Sequence, residues 1–323
     1  MILLGAENRI IHDLLTSKFA NPSAVDQTFT DFDGVAYHVE SSKAGPLTLS
    51  MDIRCWDELV QNGALDLIRQ MYGGWVRSNA EEGYNVTLSF DYGALPAPGP
   101  ERDTLVHSVS LLKRNAMAAP FERAFQQQAE LESKHDPAAP APTGSLIPVH
   151  YRAEEALFLI PAHDRVTVVF STLFEEETDR VFGRVFLQEF VDARRQPSIQ
   201  NAPQVLYVNR EPPLEIRQVP GLTRTDDTGF VTFVLFPRHF QHPDVRATTI
   251  SHIQLFRDYL HYHSTFCVGP WLTQSNAPRH TCTAACARAS PSSSRCSTAP
   301  SRSMRTRSAR RLAAARSAAR KCV

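Results

Sequence analysis

The run from Gly229 to His263, GFVTFVLFPRHFQHPDVRATTISHIQLFRDYLHYH, constrains the fold more than any other stretch. It reads as a buried strand, a turn and a helix. The strand FVTFVLF is dense in β-branched and aromatic residues, which fit a pleated, buried surface. Pro237 ends it, and Gln241-His242-Pro243-Asp244 turns the chain. Thr248 and Thr249 precede the first periodic apolar residue and are predicted to cap the helix. Ile250, Ile253, Phe256 and Leu260 form one apolar stripe, with Leu255, Tyr259 and Tyr262 beside it. At about 100° per residue the two stripes cover roughly half the circumference, more than a single core requires. Either the domain has a broad core, or one side of the helix meets its own sheet and the other a partner protein.

Charge is divided unevenly along the chain. The 323 residues carry 34 basic and 34 acidic groups. Residues 264–323 hold ten Arg, one Lys and no acid, so the rest carries 23 basic against 34 acidic residues. The length suits two ordinary domains. No apolar run is long enough to span a bilayer, and the opening MILLGAENRIIHDLL reads as an amphipathic helix rather than a secretory signal. Up to Leu260 the single cysteine is Cys55, which fits a reducing, cytosolic compartment without a disulfide framework.

The first unit, residues 1–133, reads as strands closed by a helix. A helix is predicted over 2–19, with Ile10, Ile11, Leu14, Leu15 and Phe19 on its apolar face. Asp33-Gly34 between FTDF and VAYHV is a hairpin signal. LTLSMDIRC alternates as a strand. WDELVQNGALDLIRQMYG follows as one helix stopped at Gly73-Gly74. YNVTLSFDY is a strand with Val86, Leu88 and Phe90 on one face. LVHSVSLLKRNAMAAPFERAFQQQAELE is a long helical segment that Pro120 bends or breaks. Residues 134–145, rich in Pro and Ala, are a linker by composition. The second unit, 146–263, has VHYR, ALFLIPA, DRVTVVFSTL, DRVFGRVFLQEF, APQVLYV and GFVTFVLF in close succession. That favours antiparallel meanders over crossover units. The fold class is therefore α+β: two consecutive units, each a mainly antiparallel sheet with packed helices.

Motifs for catalysis are scarce. There is no Gly-rich phosphate loop, no Ser elbow and no HExxH. His261 and His263 lie two apart on a helix and do not share a face. His280, Cys282 and Cys286 lack a fourth ligand and a fold around them. Glu175, Glu176, Glu177 and Asp179 read as a solvated hairpin loop, and Asn85-Val86-Thr87 as a sequon inside a strand. Lys113-Arg114 and Arg194-Arg195 read as solvent-facing basic pairs. The Arg-rich tail could bind nucleic acid electrostatically, although it has no interleaved aromatics for stacking bases.

Ordered strings along the chain carry a family resemblance. MILL, NRII, DFDGV, GYNV, LKRN, HYR, DRVTVVFST, QEF, APQVL, REPPLE, TFVLFPRH and FRDYLHYH occur in succession over residues 1–263, about four-fifths of the sequence. The chain resembles the family of subunit 2 of the actin-related protein 2/3 complex, which nucleates branched actin filaments. The resemblance implies two α/β domains followed by one long C-terminal helix. It implies no catalysis, no cofactor and no metal, and neither nucleic acid nor a membrane span. Its implied partners are the other subunits of the complex, above all subunit 4, and the side of the mother actin filament. The implied location is the cytoplasmic actin cortex. Phe256 and Tyr259 match family positions at the filament face.

The tail departs from the family. After His263 the family continues into a long basic helix, whereas residues 264–323 are Ala, Arg, Ser and Cys without periodicity. From Ser275 onward, a shifted reading frame with allowed codons spells KCSKAYVHGRMRARVAVFLQVLNRAKP. The tail is thus read as an out-of-frame, low-complexity segment standing where the family has its helix.

Overall fold

The computed structural model describes residues 5–31, 33–42, 45–136, 138, 142–173, 188, 202–220, 222 and 227–272; within the last helix, side chains are described to residue 256 and at 258. Asn8 opens the chain's first helix, α1 (Arg9–Ala20), its side-chain oxygen accepting from the backbone N–H of Ile10 and Ile11. The helix therefore starts later than the predicted residue 2, and residues 1–4 lie outside the described residues. Ile11, Leu15 and Phe19 are buried, while Ile10 turns to solvent.

Four strands follow: β1 (Val25–Thr30), β2 (Ala36–Ser41), β3 (Leu47–Asp52) and β4 (Val86–Phe90), antiparallel in the order β1-β2-β3-β4. Alternation sets their inner face, with Tyr37, Val39, Leu47, Leu49, Met51, Leu88 and Phe90 buried. The β1–β2 turn is organised by Asp31. Its Oδ1 accepts from the N–H of Asp33 and of Val35, and Gly34 takes φ 77°.

The stretch predicted as one helix is two, α2 (Trp56–Gln61) and α3 (Ala64–Tyr72). Gly63 between them has φ 91°, a left-handed conformation that glycine adopts without strain and that interrupts the helical ladder. The long segment beyond β4 is likewise three helices: α4 (Pro100–Ser110), α5 (Leu112–Ala116) and α6 (Ala119–Lys134). Pro120 sits in the first turn of α6, where its missing N–H costs nothing, so it starts a helix rather than bending one.

The second sheet contains β5 (Ile147–Val149), β6 (Leu157–Pro161), β7 (Val166–Leu173), β8 (Gln204–Asn209) and β9 (Thr228–Leu235), antiparallel in the order β5-β6-β7-β9-β8. Both long central strands are buried on both faces along almost their whole length. One face packs Phe158, Val169 and Phe230 with Ile216 of a short turn. Helix α6 packs against β5, β6 and β7. The strand predicted at DRVFGRVFLQEF and the loop at Glu175–Asp179 lie outside the described residues, save Gln188. Described residues of the 134–145 stretch are fastened down. His135 stacks on His163 with centroids 4.0 Å apart, and Gly144 donates to the carbonyl of Pro161.

The Lys113 side chain, expected in solvent, is instead partly buried. Lys113 Nζ on α5 pairs with Asp31 Oδ2 at 2.7 Å and Asp33 Oδ2 at 2.6 Å. Arg152, just beyond β5, donates from Nε and Nη2 to Asp33 Oδ1 at 3.2 and 3.0 Å. The buried Glu155 lies 3.8 Å from Arg152 and also accepts from the N–H of Leu173. Burial would push the Lys113 ammonium down; Asp33 and then Asp31 more than offset this and hold it above the ordinary lysine value. The stabilisation is thus complete through neutral pH and is lost only as pH rises through that raised value. Breaking a buried pair by removing one partner leaves the other charge uncompensated. In this partly buried network Asp33 keeps Arg152, so Lys113→Met is expected to lower stability by about 1–3 kcal/mol in denaturant unfolding.

Candidate protein-binding surface

Helix α7 (Pro243–Leu272) is the longest element among the described residues and the one on which the candidate site residues lie. It begins five residues before the predicted Thr248, at a proline suited to a first helical turn. With the helix already under way, neither threonine caps it. The Thr248 hydroxyl donates back to the carbonyl of Asp244, and that of Thr249 to the carbonyl of His239.

The apolar side of α7 meets the second sheet. Ile250, Ile253 and Phe256 are buried, with Phe256 only 2% exposed. Its ring lies 5.0 Å from that of Phe233 on β9 and 5.7 Å from that of Phe170 on β7, edge-to-face and tilted respectively. The first predicted site residue therefore sits in the chain's own core. The side chains of Tyr259, Leu260, Tyr262, His261 and His263 lie outside the described residues, as do His280, Cys282, Cys286 and Arg194-Arg195.

A second side of α7 is held by polar contacts rather than by apolar packing. Arg114 donates from Nε to Ser251 Oγ at 2.9 Å and from Nη2 to the carbonyl of Ala247 at 2.6 Å. Gln254 returns a bond to the carbonyl of Arg114 at 3.2 Å. Arg246 pairs with Glu122 on α6 at 3.0 Å, and its guanidinium lies 5.8 Å from the centroid of the Phe125 ring. Burial lowers Arg114 from its ordinary value, an effect that Glu122 and Tyr72 oppose. The pair Lys113-Arg114 thus reaches in opposite directions, one residue to the first hairpin and the next to α7. The sequence offered only "KR on a helix", without the buried partners that give the pair its role.

Sequence reasoning also missed the outer face of β8. Leu206 and Val208 alternate outward at 46% and 41% exposure, and Leu214 is 75% exposed. The signal was present: QVLYVN has apolar residues on both faces, where a solvent-facing strand needs polar ones on one. Val60 and Met71 add exposed apolar groups on α2 and α3. Exposed apolar side chains of this kind suit protein contact.

Little here suits chemistry. Among the described residues no group of three or more His, Cys, Asp or Glu could hold a metal ion. Burial, with Glu58 adding to it, pushes the Cys55 thiol up to about 12, away from reactive thiolate character. The Asn85 amide of the sequon is used internally, accepting from Ile53 N–H at 2.6 Å. No helix among the described residues is long and apolar enough to cross a membrane. Fold and surface together define a protein whose described features suit binding.

Comparison with known proteins supplies the family. The family model for the 34 kD subunit of the Arp2/3 complex, p34-Arc, matches residues 49–269. Actin-related protein 2/3 complex subunit 2 of Schizosaccharomyces pombe is 52% identical over 274 residues, covering 81% of this chain and 86% of that protein. The Dictyostelium discoideum protein of the same name is 36% identical over 265 residues, covering 81% and 84%. The chain belongs to the p34-Arc family.

Truncating Phe256 removes an aromatic side chain from a closed core. Phe256→Ala is expected to lower stability by about 3–5 kcal/mol, and Phe256→Leu by clearly less, in thermal or urea unfolding.

Proposed function

We propose that this chain is a non-enzymatic structural subunit of the Arp2/3 complex. It pairs with subunit 4 to form the core of the assembly and contacts the side of the mother filament at the actin cortex. The observation that carries this reading is the 52% identity to a subunit of that name over most of both chains. The mechanism is binding through extended complementary surfaces. The fastening of α7 on two sides supports it, because a preorganised helix loses little conformational freedom when a partner docks.

Phe256 and Tyr259 take different parts in this proposal. Phe256 contributes by seating α7 on the second sheet, since its own side chain is enclosed. Tyr259 is the residue we assign to the filament contact. Purified complex carrying Tyr259→Ala is expected to co-sediment less with actin filaments at unchanged subunit stoichiometry. Undiminished co-sedimentation would remove Tyr259 from the contact. Failure of the tagged wild-type chain to co-purify with the other subunits would overturn the subunit reading itself.

For residues 264–323 we propose an out-of-frame reading of the family's basic helix. The family match ends at residue 269, near the start of the tail, which supports this. A transcript read across codons 255–323 that shows one frame as written would overturn it.

A further inference from the structure

Apart from α7 and the Lys113 network, one polar cluster is built around a histidine. His38 projects from β2 on the outer face of the first sheet, the face that does not carry the apolar core. Its Nδ1 lies 2.6 Å from Glu81 Oε1 and its Nε2 3.1 Å from Asp26 Oδ1. Asp26 is on β1 and Glu81 is in the segment between residue 76 and β4, so the ring bridges two separate pieces of chain. Tyr84 of the same segment stacks on the ring, with centroids 5.8 Å apart.

An ionised carboxylate only accepts hydrogen bonds, and a neutral imidazole has only one N–H. Both contacts can therefore be hydrogen bonds only while the ring carries two protons. We propose that His38 is a proton-operated staple, which as the imidazolium ties β1 to the Glu81 segment across the first sheet and which lets go of β1 when it loses one proton.

The contact that gives way is set by the surroundings of the two carboxylates. Glu81 is anchored independently of the ring: Ser50 Oγ donates to its Oε2 at 2.5 Å, and its backbone N–H donates to Thr87 Oγ1 at 2.8 Å. Ser50 and Thr87 hydroxyls are in turn 2.9 Å apart and buried. Asp26, by contrast, is 84% exposed and has water as an alternative partner. Once neutral, the ring keeps its N–H toward Glu81 and turns a lone pair on Asp26, which repels it. β1 is the edge strand of this sheet, with β2 as its neighbour in the strand order, so its hold is the weaker one.

The working range follows from the same geometry. Burial of the ring disfavours its charge, but the hydrogen bonds and charges of Asp26 and Glu81 prevail and raise His38 above its ordinary value. Of the charged groups, Asp26 and Glu81 act most strongly on the ring. A raised folded-state value means that the stabilisation is complete below about pH 6.5 and is lost as pH rises through the raised value. The edge of the first sheet thus becomes less protected at the alkaline end of the physiological range.

Hydrogen exchange read by mass spectrometry on the full-length chain, in whatever assembly it purifies with, tests this. Rates at about pH 5.5 and about pH 8 are compared after correction for intrinsic amide chemistry. Wild-type β1 amides are expected to exchange several-fold faster at the higher pH, about tenfold where the ring's proton affinity differs tenfold between stapled and released states. His38→Phe, which has no N–H to donate and does not titrate, is expected to show fast β1 exchange at both pH values. Asp26→Ala, a surface change that removes the partner of Nε2 and leaves Glu81 bonded, gives the same expectation should His38→Phe fail to fold. Equal corrected rates in wild type, an unchanged pH response in His38→Phe, or full β1 protection at low pH in Asp26→Ala would each overturn the staple.

Discussion

The ammonium of Lys113 is the group around which the two sheets are joined. An ammonium withdrawn from water must be compensated by charge, and here Asp31 and Asp33 provide it from the tip of one hairpin. Those two aspartates also make the hairpin, since Asp31 closes the turn through its own carboxylate. Asp33 then extends the network to Arg152, and so to Glu155 and the end of β7. One turn, one short helix and the start of the second sheet are therefore fixed by the same few charges. Hydrophobic burial gives each sheet its helices. The ionic chain adds direction, because charge pairs tolerate misplacement far less than apolar contacts do.

Helix α7 depends on that arrangement at one remove. Arg114, the residue after Lys113, holds the helix through Ser251 and the carbonyl of Ala247. Phe256 and its neighbours hold it on the other side against Phe170 and Phe233. A helix seated both by aromatic packing and by a guanidinium has a defined axis and a defined rotation. That rigidity suits the structural role proposed for this member of the p34-Arc family. The His38 staple acts elsewhere, on the edge of the first sheet, and so adds a proton-sensitive margin to an otherwise fixed body.

Much of this was legible in the chain. Strand alternation located most strands, Asp33-Gly34 located the first hairpin, and the FRDYLHYH helix was found with its buried stripe of Ile250, Ile253 and Phe256. Helix boundaries were less legible. Gly63 divides α2 from α3, Pro120 opens α6, and Pro243 opens α7 ahead of two threonines that resemble caps. Each is a residue whose local effect has two readings, break or start, and packing decides between them. The candidate site was legible as a helix with more apolar circumference than one core needs, but not as a side-chain geometry. Phe256 reads equally well as surface anchor or core aromatic until Phe170 and Phe233 are placed beside it.

Sequence by itself determined the α+β class, the order of most strands along the chain and the family, because periodicity and ordered motifs are properties of the chain alone. Only the tertiary structure decided what the charged residues do. Lys113, Arg114, His38 and Glu81 look like ordinary surface residues in one dimension. Several of their partners lie far away along the chain, 31 residues in Ser50–Glu81 and 137 in Arg114–Ser251. Electrostatic interaction depends on distance and burial in space, and neither is written in sequence separation.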